Sequence, residues 1–276
     1  MLPTSARAIL LESPSNLSPE LRDRLESRLF RHLLLRNGTY KTTASGRLVA
    51  IDQILLPRLP RHRPVSLMDV GLSSGVTTVD WIRQLDASHI HFQLTGVDLV
   101  LRGKLHTFPL GMEVLVDSAG FALQLAMGDR GICRPSRPVN ALRARILESL
   151  FRVAERLVTT RAGGSDIVLA TRELVADSRV ELVERDIASE NPEWVEGFDV
   201  VRVANVLNLA YFPAPVLREM ARLVWRYVRI GGQLICVRTD DSGTHHATCF
   251  SKGERGEIII VARLGDGADV EPLLLH

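Results

Sequence analysis

A glycine-rich turn, and an acidic residue one strand later, have the residue types and spacing of a ligand-binding site. The turn is Asp69-Val-Gly-Leu-Ser-Ser-Gly75, which follows a short apolar strand and opens a helix. Glycine at position 71 lets the backbone turn tightly and approach a ligand, and glycine at 75 lets the helix pack closely on the strand. Asp98 ends the next predicted strand, where its carboxylate can accept both ribose hydroxyls of an adenosine-containing ligand.

The same turn also matches the G-x-S-x-G nucleophile elbow of serine hydrolases, because residues 71, 73 and 75 are Gly, Ser and Gly. The pairs Asp240-Asp241 and His245-His246 follow in the chain order of such a triad. Three features count against a hydrolase. A nucleophile elbow normally follows several strands, but here the first 64 residues are predicted to be helical. The acid and histidine candidates are only a few residues apart, and no HGGG-like segment precedes the serine. A hydrolase is therefore the less favoured alternative.

A nicotinamide dinucleotide and a metal ion fit the sequence less well. The turn does not match G-x-G-x-x-G, since residue 73 is serine and residue 76 is valine, and a serine at position 73 would crowd a pyrophosphate. His245, His246 and Cys249 are metal-binding residue types, but they adjoin a predicted hairpin edge and lack an acidic second pair. We assign them a structural or surface role and predict no metal site.

Apolar strands alternate with helices from residue 65 onward. The predicted strands are Val65–Val70, Phe92–Val97, Val180–Val183, Val200–Val203 and Gln233–Val237, with helices at Thr77–Leu85 and around Leu217–Val228. Strands rich in Val, Leu and Ile that alternate with helices predict a parallel sheet covered on both faces. The segments 247–250 and 258–264 flank a glycine-containing turn and predict a terminal antiparallel hairpin. The fold class is therefore α/β.

Two regions lie outside this alternation. Residues 1–64 contain two predicted helices, the first of which begins after Ser18. Residues 101–170 contain a predicted small hairpin and a helix around 141–158. We expect an N-terminal helical cap at 1–64 and a second domain at 65–276. Its insert, at about 101–170 and after the second strand, would act as a lid over the ligand crevice.

These motifs resemble those of the class I (Rossmann-like) S-adenosylmethionine-dependent methyltransferases. The turn at 69–75 is similar to their first motif, and Thr95-Gly-Val-Asp98 is similar to their second-strand acid. The further matches are Val183–Ile187 (third strand), Phe198–Leu207 (fourth strand) and Val228–Cys236 (the turn before the fifth strand). The resemblance covers about residues 65–264. It implies a Rossmann-like, mostly parallel seven-stranded sheet, S-adenosyl-L-methionine as the cofactor, and methyl transfer as the activity.

The resemblance also implies which residues bind the cofactor. Asp98 would hold the ribose, and Asp186 with Ile187 would flank the adenine. Asn205 would lie beside the transferable methyl group, and Asp69 would accept a hydrogen bond from the cofactor ammonium. The full implied set is Asp69, Gly71, Leu72, Ser73, Ser74, Gly75, Asp98, Leu99, Asp186, Ile187, Asn205 and Val206. Taken from the residues alone, Asp186 also fits a helix cap and Asn205 a polar residue that satisfies a strand end.

Four residues are candidates for binding a small-molecule acceptor. Tyr40 lies between the two N-terminal helices, and His106 lies in the insert. Tyr211 and Phe212 follow the fourth strand of the predicted sheet. Each of the four also fits an ordinary loop, surface or core role. The sequence assigns no general base, and it leaves the acceptor atom and the oligomeric state open.

The composition narrows the partners of this 276-residue chain. A formal net charge of +2 is too small to predict nucleic-acid binding. The three cysteines are far apart, so no disulfide framework is expected. The apolar segments are too short for a signal peptide or a membrane span, and we expect a cytoplasmic protein with no membrane partner. The alternative to an enzyme is a methyltransferase-like protein that binds the cofactor without turnover.

Overall fold

The computed structural model describes residues 4–12, 18–41, 43–135, 141–161 and 163–275. The chain divides into two units, each made of three separated segments. Unit 1 comprises Met1–Ala44, Ser73–Val76 and Val100–Ala176, and unit 2 comprises Ser45–Leu72, Thr77–Leu99 and Asp177–His276. The sequence predicts a single boundary at residue 64, and this division places the boundaries elsewhere. Residues 45–64 group with the large sheet, and most of the insert groups with the N-terminal segment.

Helices occur in both units. The α-helices are α1 (Pro19–His32), α2 (Val49–Leu55), α3 (Val76–Ala87), α4 (Ala141–Thr159), α5 (Arg172–Ala176), α6 (Ala214–Tyr227) and α7 (Glu271–Leu275). Shorter helical turns are Arg7–Glu12, Leu56–Arg58, Pro109–Gly111 and Pro192–Trp194. Within the described ranges, no helix has both the length and the apolar character needed to cross a bilayer.

Twelve strands are found in the described part of the chain. They are β1 (Val65–Val70), β2 (Phe92–Asp98), β3 (Arg102–Thr107), β4 (Met112–Asp117), β5 (Ala122–Met127), β6 (Arg130–Cys133), β7 (Ser165–Val168), β8 (Val180–Glu184), β9 (Phe198–Ala204), β10 (Val228–Thr239), β11 (His245–Lys252) and β12 (Ile258–Leu264).

Unit 2 contains a seven-stranded sheet in the order β12-β11-β10-β9-β1-β2-β8. All neighbouring strands are parallel except the pairs that include β11, which is antiparallel to β10 and to β12. The strand order runs from β1 outward to β8 on one side and from β9 outward on the other, so it reverses between β1 and β9. This is the doubly wound, Rossmann-like arrangement, and it confirms the predicted fold class, including the terminal antiparallel hairpin.

A fully buried arginine joins the elements around the centre of this sheet. Arg202 on β9 is the register partner of Asp69 on β1, and its Nε and Nη2 donate to the two Asp69 carboxylate oxygens at 3.0 and 2.7 Å. Its Nη1 donates to Asp52 of α2 at 2.7 Å. Its guanidinium also lies 4.4 Å from the ring centroid of Trp81 on α3. Thr78 Oγ1 completes the network by donating to Asp69 at 2.6 Å.

Charge balance explains why these groups can be buried together. Burial alone would lower the pKa of Arg202, but the carboxylates of Asp52 and Asp69 outweigh burial and raise it. Burial raises the pKa of Asp52 to about 6, although the adjacent guanidinium acts in the opposite direction. Arg202 therefore stays charged. Its two hydrogen bonds to the Asp69 carboxylate form a bidentate pair, which helps to offset the cost of burying both charges.

Unit 1 contains a five-stranded antiparallel sheet in the order β6-β5-β4-β3-β7. The predicted hairpin is β4–β5 and the predicted helix is α4. The strands β3, β6 and β7 were not predicted, because their short sequences show little apolar alternation. Ser18 caps α1 as predicted, with its side chain accepting from the Leu21 N–H at 3.3 Å.

Helix α4 packs on this sheet through one face only. Phe151, Ala154 and Val158 are buried against β4 and β5. The opposite face of α4 carries a row of exposed apolar side chains. They are Leu142, Ile146, Leu150, Val153 and Leu157, each 42–68% exposed.

Replacing Arg202 should destabilise the protein severely. In Arg202→Leu the carboxylates of Asp52 and Asp69 lose their shared cation, and a broken buried ion pair costs about 3–5 kcal/mol. Asp52→Asn should cost much less, since the amide oxygen can still accept from Arg202 and the Arg202–Asp69 pair remains. Urea unfolding at pH 7 measures both free energies. Equal losses in the two variants would contradict this ranking.

The raised pKa of Asp52 should give stability a measurable pH dependence. A carboxyl whose pKa is raised to about 6 on folding binds its proton more tightly in the folded state. Between about pH 4 and pH 6 the folded protein therefore holds more protons, and the free energy of unfolding falls as pH rises. The wild type should lose roughly 1–3 kcal/mol more than Asp52→Asn between pH 4.5 and pH 7. Parallel urea titration curves for the two proteins would refute the raised pKa.

Candidate functional site

The turn after β1 begins with a backbone that only glycine tolerates. Gly71 has φ +76°, and its N–H donates to the carbonyl of Val97 on β2 at 2.8 Å. A Cβ atom at position 71 would overlap the Val206 side chain and lie 3.4 Å from the Ala204 carbonyl oxygen. Two residues of the implied cofactor set, Gly71 and Val206, are thus in contact. The start of the turn is clamped between the ends of β2 and β9.

Leu72 packs its side chain on the sheet. It is 1% exposed, and its Cδ2 lies close to Gly96 of β2, where a Cβ atom would be 2.7 Å away. Its side chain is therefore packed onto the sheet, and only its backbone is available to line a ligand.

The second half of the turn, residues 73–76, groups with unit 1 and is held there by three contacts. Lys41, only 1% exposed, donates from Nζ to the Ser73 carbonyl at 2.9 Å. The Thr171 N–H donates to the Ser74 carbonyl at 2.7 Å. Gly75 (φ +85°) lies against Leu174, whose side chain a Cβ atom would overlap. Ser73 itself is left-handed, with φ +59°. The backbone is therefore held at three successive residues, Ser73, Ser74 and Gly75.

Asp98 lies where the sequence predicts, at the end of β2. Its backbone carbonyl accepts from the Arg185 N–H at 3.0 Å, and Asp98 is the register partner of Glu184 on β8. The residue is half-buried, and Leu99 beside it is 46% exposed. Asp98 is thus the last residue of β2, which pairs with β1, and it lies at the same edge of the sheet as Gly71.

The two residues predicted to flank the adenine follow β8. Asp186 is exposed, and its Oδ1 accepts from the Ala188 N–H at 2.9 Å in a local turn. Ile187 is 6% exposed and belongs to the core of unit 2. The turn satisfies one oxygen of Asp186, but residues 187–189 form a turn and not a helix, so Asp186 does not take the helix-cap role that the residues alone left open.

Asn205 satisfies the end of a strand, the second alternative left open. It has φ +57°, its N–H donates to the Val237 carbonyl at 2.8 Å, and its Oδ1 accepts from the Thr239 N–H at 2.7 Å. The side chain therefore extends the pairing of β9 with β10. Its amide nitrogen still points two donor hydrogens away from that bond.

Asp69 is enclosed by protein groups. It is 2% exposed, and both of its carboxylate oxygens accept hydrogen bonds from Arg202 or Thr78. These surroundings do not favour the predicted contact with a cofactor ammonium. They assign Asp69 to holding the end of β1.

The four acceptor-site candidates fall in different units. Tyr40 pairs with Leu34 in an isolated bridge of unit 1. His106, on β3 of unit 1, is 5% exposed, and burial lowers its pKa. In unit 2, Tyr211 is 59% exposed, and the half-buried Phe212 packs on the core beside α6. Tyr211 and Phe212 follow β9, so they lie at the carboxyl-end edge of the sheet.

A polar cluster at the end of β10 was not predicted from the sequence. Arg47 Nη2 donates to Thr239 Oγ1 at 3.2 Å, and the same oxygen lies 2.9 Å from His245 Nδ1. We name these three residues the Arg47 cluster. The Thr239 N–H also donates to Asn205, so the cluster adjoins a residue of the implied cofactor set. Arg47 lies far away in the sequence and outside any motif, and only the pairing of β10 with β11 could have brought Thr239 and His245 together.

The histidines near β11 are not arranged for a serine hydrolase. His246 Nε2 lies 3.0 Å from Asp240 Oδ2, and its Nδ1 accepts from the Asp266 N–H at 2.9 Å. Both ring nitrogens are therefore engaged by neighbours. In His245 one ring nitrogen bonds Thr239. Neither histidine shows the pairing of acid, histidine and serine that a nucleophile elbow requires.

No family model and no curated protein matches this sequence. Several solved structures are similar in fold. One is the CMeT domain of the citrinin polyketide synthase, at 15% identity and a TM-score of 0.38, covering 82% of this chain and 41% of that one. Another is the N-methyltransferase NodS from Bradyrhizobium japonicum in complex with S-adenosylhomocysteine, at 14% identity and a TM-score of 0.36, covering 79% of this chain and 74% of that one.

A third similar structure is the 1,6-didemethyltoxoflavin-N1-methyltransferase from Burkholderia thailandensis, with 1,6-didemethyltoxoflavin and S-adenosylhomocysteine bound. It is 14% identical, with a TM-score of 0.40, and covers 96% of this chain and 80% of that one. The last two proteins are methyltransferases. The Rossmann-like assignment itself follows from the strand order, because identities and TM-scores of this size assign neither fold nor activity.

Gly71→Ala should destabilise the protein more than an alanine at a comparable glycine. Gly231 has nearly the same φ (+75°), but a Cβ atom there would have no neighbour within 4 Å, so Gly231→Ala reports the backbone strain alone. We expect about 1–2 kcal/mol for Gly231→Ala and a further ~1–3 kcal/mol for Gly71→Ala from the overlap with Val206. Chemical denaturation compares the two variants. Equal losses would show that Val206 does not clamp the turn.

Proposed function

We propose that this chain is an S-adenosyl-L-methionine-dependent methyltransferase that acts on a small-molecule acceptor. One observation carries the proposal. Gly71 directly follows β1, Asn205 directly follows β9, and Asp98 is the last residue of β2. These three strands are parallel neighbours in the order β9-β1-β2. The carboxyl ends of these strands meet at one edge of the sheet, at the point where the strand order reverses. Ligands of doubly wound α/β proteins bind at that point.

The residues at this edge suit S-adenosyl-L-methionine better than a dinucleotide. A carboxylate at the end of β2 is suited to accept hydrogen bonds from ribose hydroxyls, and the half-buried Asp98 occupies that position. Residue 73 is a left-handed serine where a dinucleotide fold places glycine against the pyrophosphate. A cofactor without phosphates does not require that glycine.

The proposed roles follow the surroundings of each residue. Asp98 holds the ribose, with Leu99 beside it, and the backbones of Gly71 and Leu72 line the turn next to the methionine part. The turn continues through Ser73, Ser74 and Gly75. Asp186 and Ile187 flank the adenine. Asn205 and Val206 lie nearest the reacting group, and Asp69 acts only through Arg202, by fixing the end of β1.

Methyl transfer requires little covalent chemistry from the protein. When bound, the cofactor supplies an activated methyl group on a sulfonium for in-line displacement. The task left to the chain is to position the acceptor and exclude water. Asn205 is suited to positioning because its backbone and its Oδ1 are both fixed by β10. Its amide N–H groups can then orient an acceptor lone pair.

Cofactor binding can be tested before any acceptor is known. S-adenosyl-L-methionine and S-adenosylhomocysteine should each raise the melting temperature of the wild type by mass action. Asp98→Ala should weaken the affinity for S-adenosylhomocysteine about 10- to 100-fold, because two hydroxyls lose a charged hydrogen-bond acceptor. Isothermal titration calorimetry gives the affinities. Glu219→Ala, a loss of one exposed carboxylate on α6, is the matched control and should bind normally.

The outcomes separate the alternatives. No stabilisation by either ligand, together with an unaffected Asp98→Ala variant, would overturn the proposal. Binding without methyl release to any acceptor in a broad screen would instead indicate a cofactor-binding protein without turnover. Ester hydrolysis that disappears in Ser73→Ala would point to the hydrolase.

A further inference from the structure

The segment that carries Arg47 is fixed to helix α3. Ser45 Oγ donates to Asp80 Oδ1 at 2.9 Å, and the Gly46 N–H donates to Asp80 Oδ2 at 2.7 Å. The residue that follows Arg47, Leu48, is buried with 2% exposure. The backbone is thus anchored on both sides of Arg47. The guanidinium is held at a defined place next to the end of β10.

Arg47 is half-buried and has no carboxylate partner among the described residues. Its hydrogen bond there goes to the neutral hydroxyl of Thr239, and its buried Nε lacks a hydrogen-bond partner in that part of the chain. Burial lowers the pKa of Arg47, and the nearby Tyr211 offsets this only in part. A half-buried guanidinium with unused donors can bind an anion from outside the chain without breaking an existing ion pair.

His245 adds a neutral hydrogen-bonding group beside this cation. Burial, and then the positive charge of Arg47, lower the pKa of His245 from its ordinary value. The imidazole is therefore uncharged at pH 7, and Thr239 Oγ1 connects it to the guanidinium. The Arg47 cluster as a whole carries one positive charge and several donors, which suits a ligand group with one negative charge.

We propose that the Arg47 cluster binds a carboxylate, and that the methyl acceptor is accordingly a small carboxylic acid. This inference rests on the proposed function and specifies its substrate class. The planar guanidinium fork matches the two oxygens of a carboxylate. A single carboxylate also balances the single charge of the cluster, whereas a phosphate dianion would leave one negative charge uncompensated. The bond from Thr239 to Asn205 places this anchor next to the proposed methyl-transfer position.

One other molecule at the proposed site carries the same chemical group. The methionine end of S-adenosyl-L-methionine has a carboxylate, and Arg47 could bind that carboxylate in place of one from the acceptor. The acceptor and the cofactor would both present a carboxylate to Arg47. They differ in competition: a probe at the acceptor site binds together with S-adenosylhomocysteine, whereas a probe at the cofactor carboxylate site competes with it. The experiment therefore needs an arm for each.

Benzoate is a suitable probe, and benzamide is its uncharged counterpart of the same shape. We would titrate each into the full chain, with and without saturating S-adenosylhomocysteine. The ring Cε1–H signal of His245 in a proton–carbon NMR correlation spectrum follows binding. Its assignment comes from the one signal, among eight histidines, that is lost in His245→Gln. Benzoate should shift this signal saturably in the wild type, and benzamide should not.

Variants of the cluster give graded expectations. Arg47→Gln should weaken benzoate binding at least tenfold, and Arg47→Lys should weaken it less, since the charge remains but the fork is lost. Thr239→Val should have an intermediate effect, because it removes the link between Arg47 and His245 while keeping the shape of the side chain. The matched control is Arg222→Gln, an exposed arginine on α6, which should bind benzoate like the wild type.

The cofactor arm uses S-adenosyl-L-methionine and its decarboxylated form. If Arg47 holds the acceptor, Arg47→Gln should bind S-adenosyl-L-methionine normally, and benzoate should bind to the complex with S-adenosylhomocysteine. If Arg47 holds the cofactor carboxylate, the variant and the decarboxylated cofactor should each lose affinity to a similar degree, and benzoate should compete with S-adenosylhomocysteine. The second result keeps the carboxylate site but overturns the carboxylic-acid acceptor.

The proposal and the proposed function can fail separately. Benzoate binding that depends on Arg47, without any binding of S-adenosylhomocysteine, would retain the anion site and reject the methyltransferase. Normal S-adenosylhomocysteine binding, with no dependence on Arg47 for either benzoate or the cofactor carboxylate, would reject the anion site alone. Circular dichroism of each variant checks that it is folded. A folded Arg47→Gln protein with unchanged benzoate affinity is the decisive negative result.

Discussion

The buried contacts of Arg202 are the constraint on which the rest of unit 2 depends. An arginine in the middle of a central strand can be buried only where carboxylates and other acceptors surround it. Here those partners come from α2, β1 and α3, so one guanidinium fixes the positions of three elements relative to β9. Because Asp69 is the next-to-last residue of β1, the same contact determines where the glycine-rich turn begins. The first glycine of that turn, Gly71, lies against Val206, which follows β9.

The large sheet and the main features of its carboxyl edge could be predicted from sequence. Apolar runs of four to six residues between helical segments have few alternatives to parallel strands. The placement of Gly71 and Asp98 followed from those strands, since the carboxyl ends of neighbouring parallel strands share an edge. From the family resemblance Asn205 could lie beside the transferable methyl group, and from its residue type it could satisfy the end of a strand. The structure shows that its side chain satisfies a strand end, which also makes it rigid.

Features that depend on distant pairings could not be predicted in the same way. Arg202 lies in a largely apolar strand, and nothing in the sequence identifies Asp69 and Asp52 as its partners. The same holds for Arg47, which reaches Thr239 only after the sheet has formed. In unit 1, β3, β6 and β7 are short and contain polar residues on both faces, so their pairing is determined by neighbours and not by local pattern. Short-range patterns thus predict elements, and long-range contacts determine what each polar side chain binds.

The segments of the two units alternate along the sequence, and this affects the order in which paired strands are synthesised. β1 and β2 leave the ribosome early, but β9, the other neighbour of β1, follows only after all of the segments of unit 1 have been made. One edge of β1 therefore stays unpaired while unit 1 can already complete its own sheet. An unpaired apolar edge is a template for strands of other chains. We therefore expect this edge to be exposed to pairing with other chains until β9 is made and Arg202 can bind Asp69.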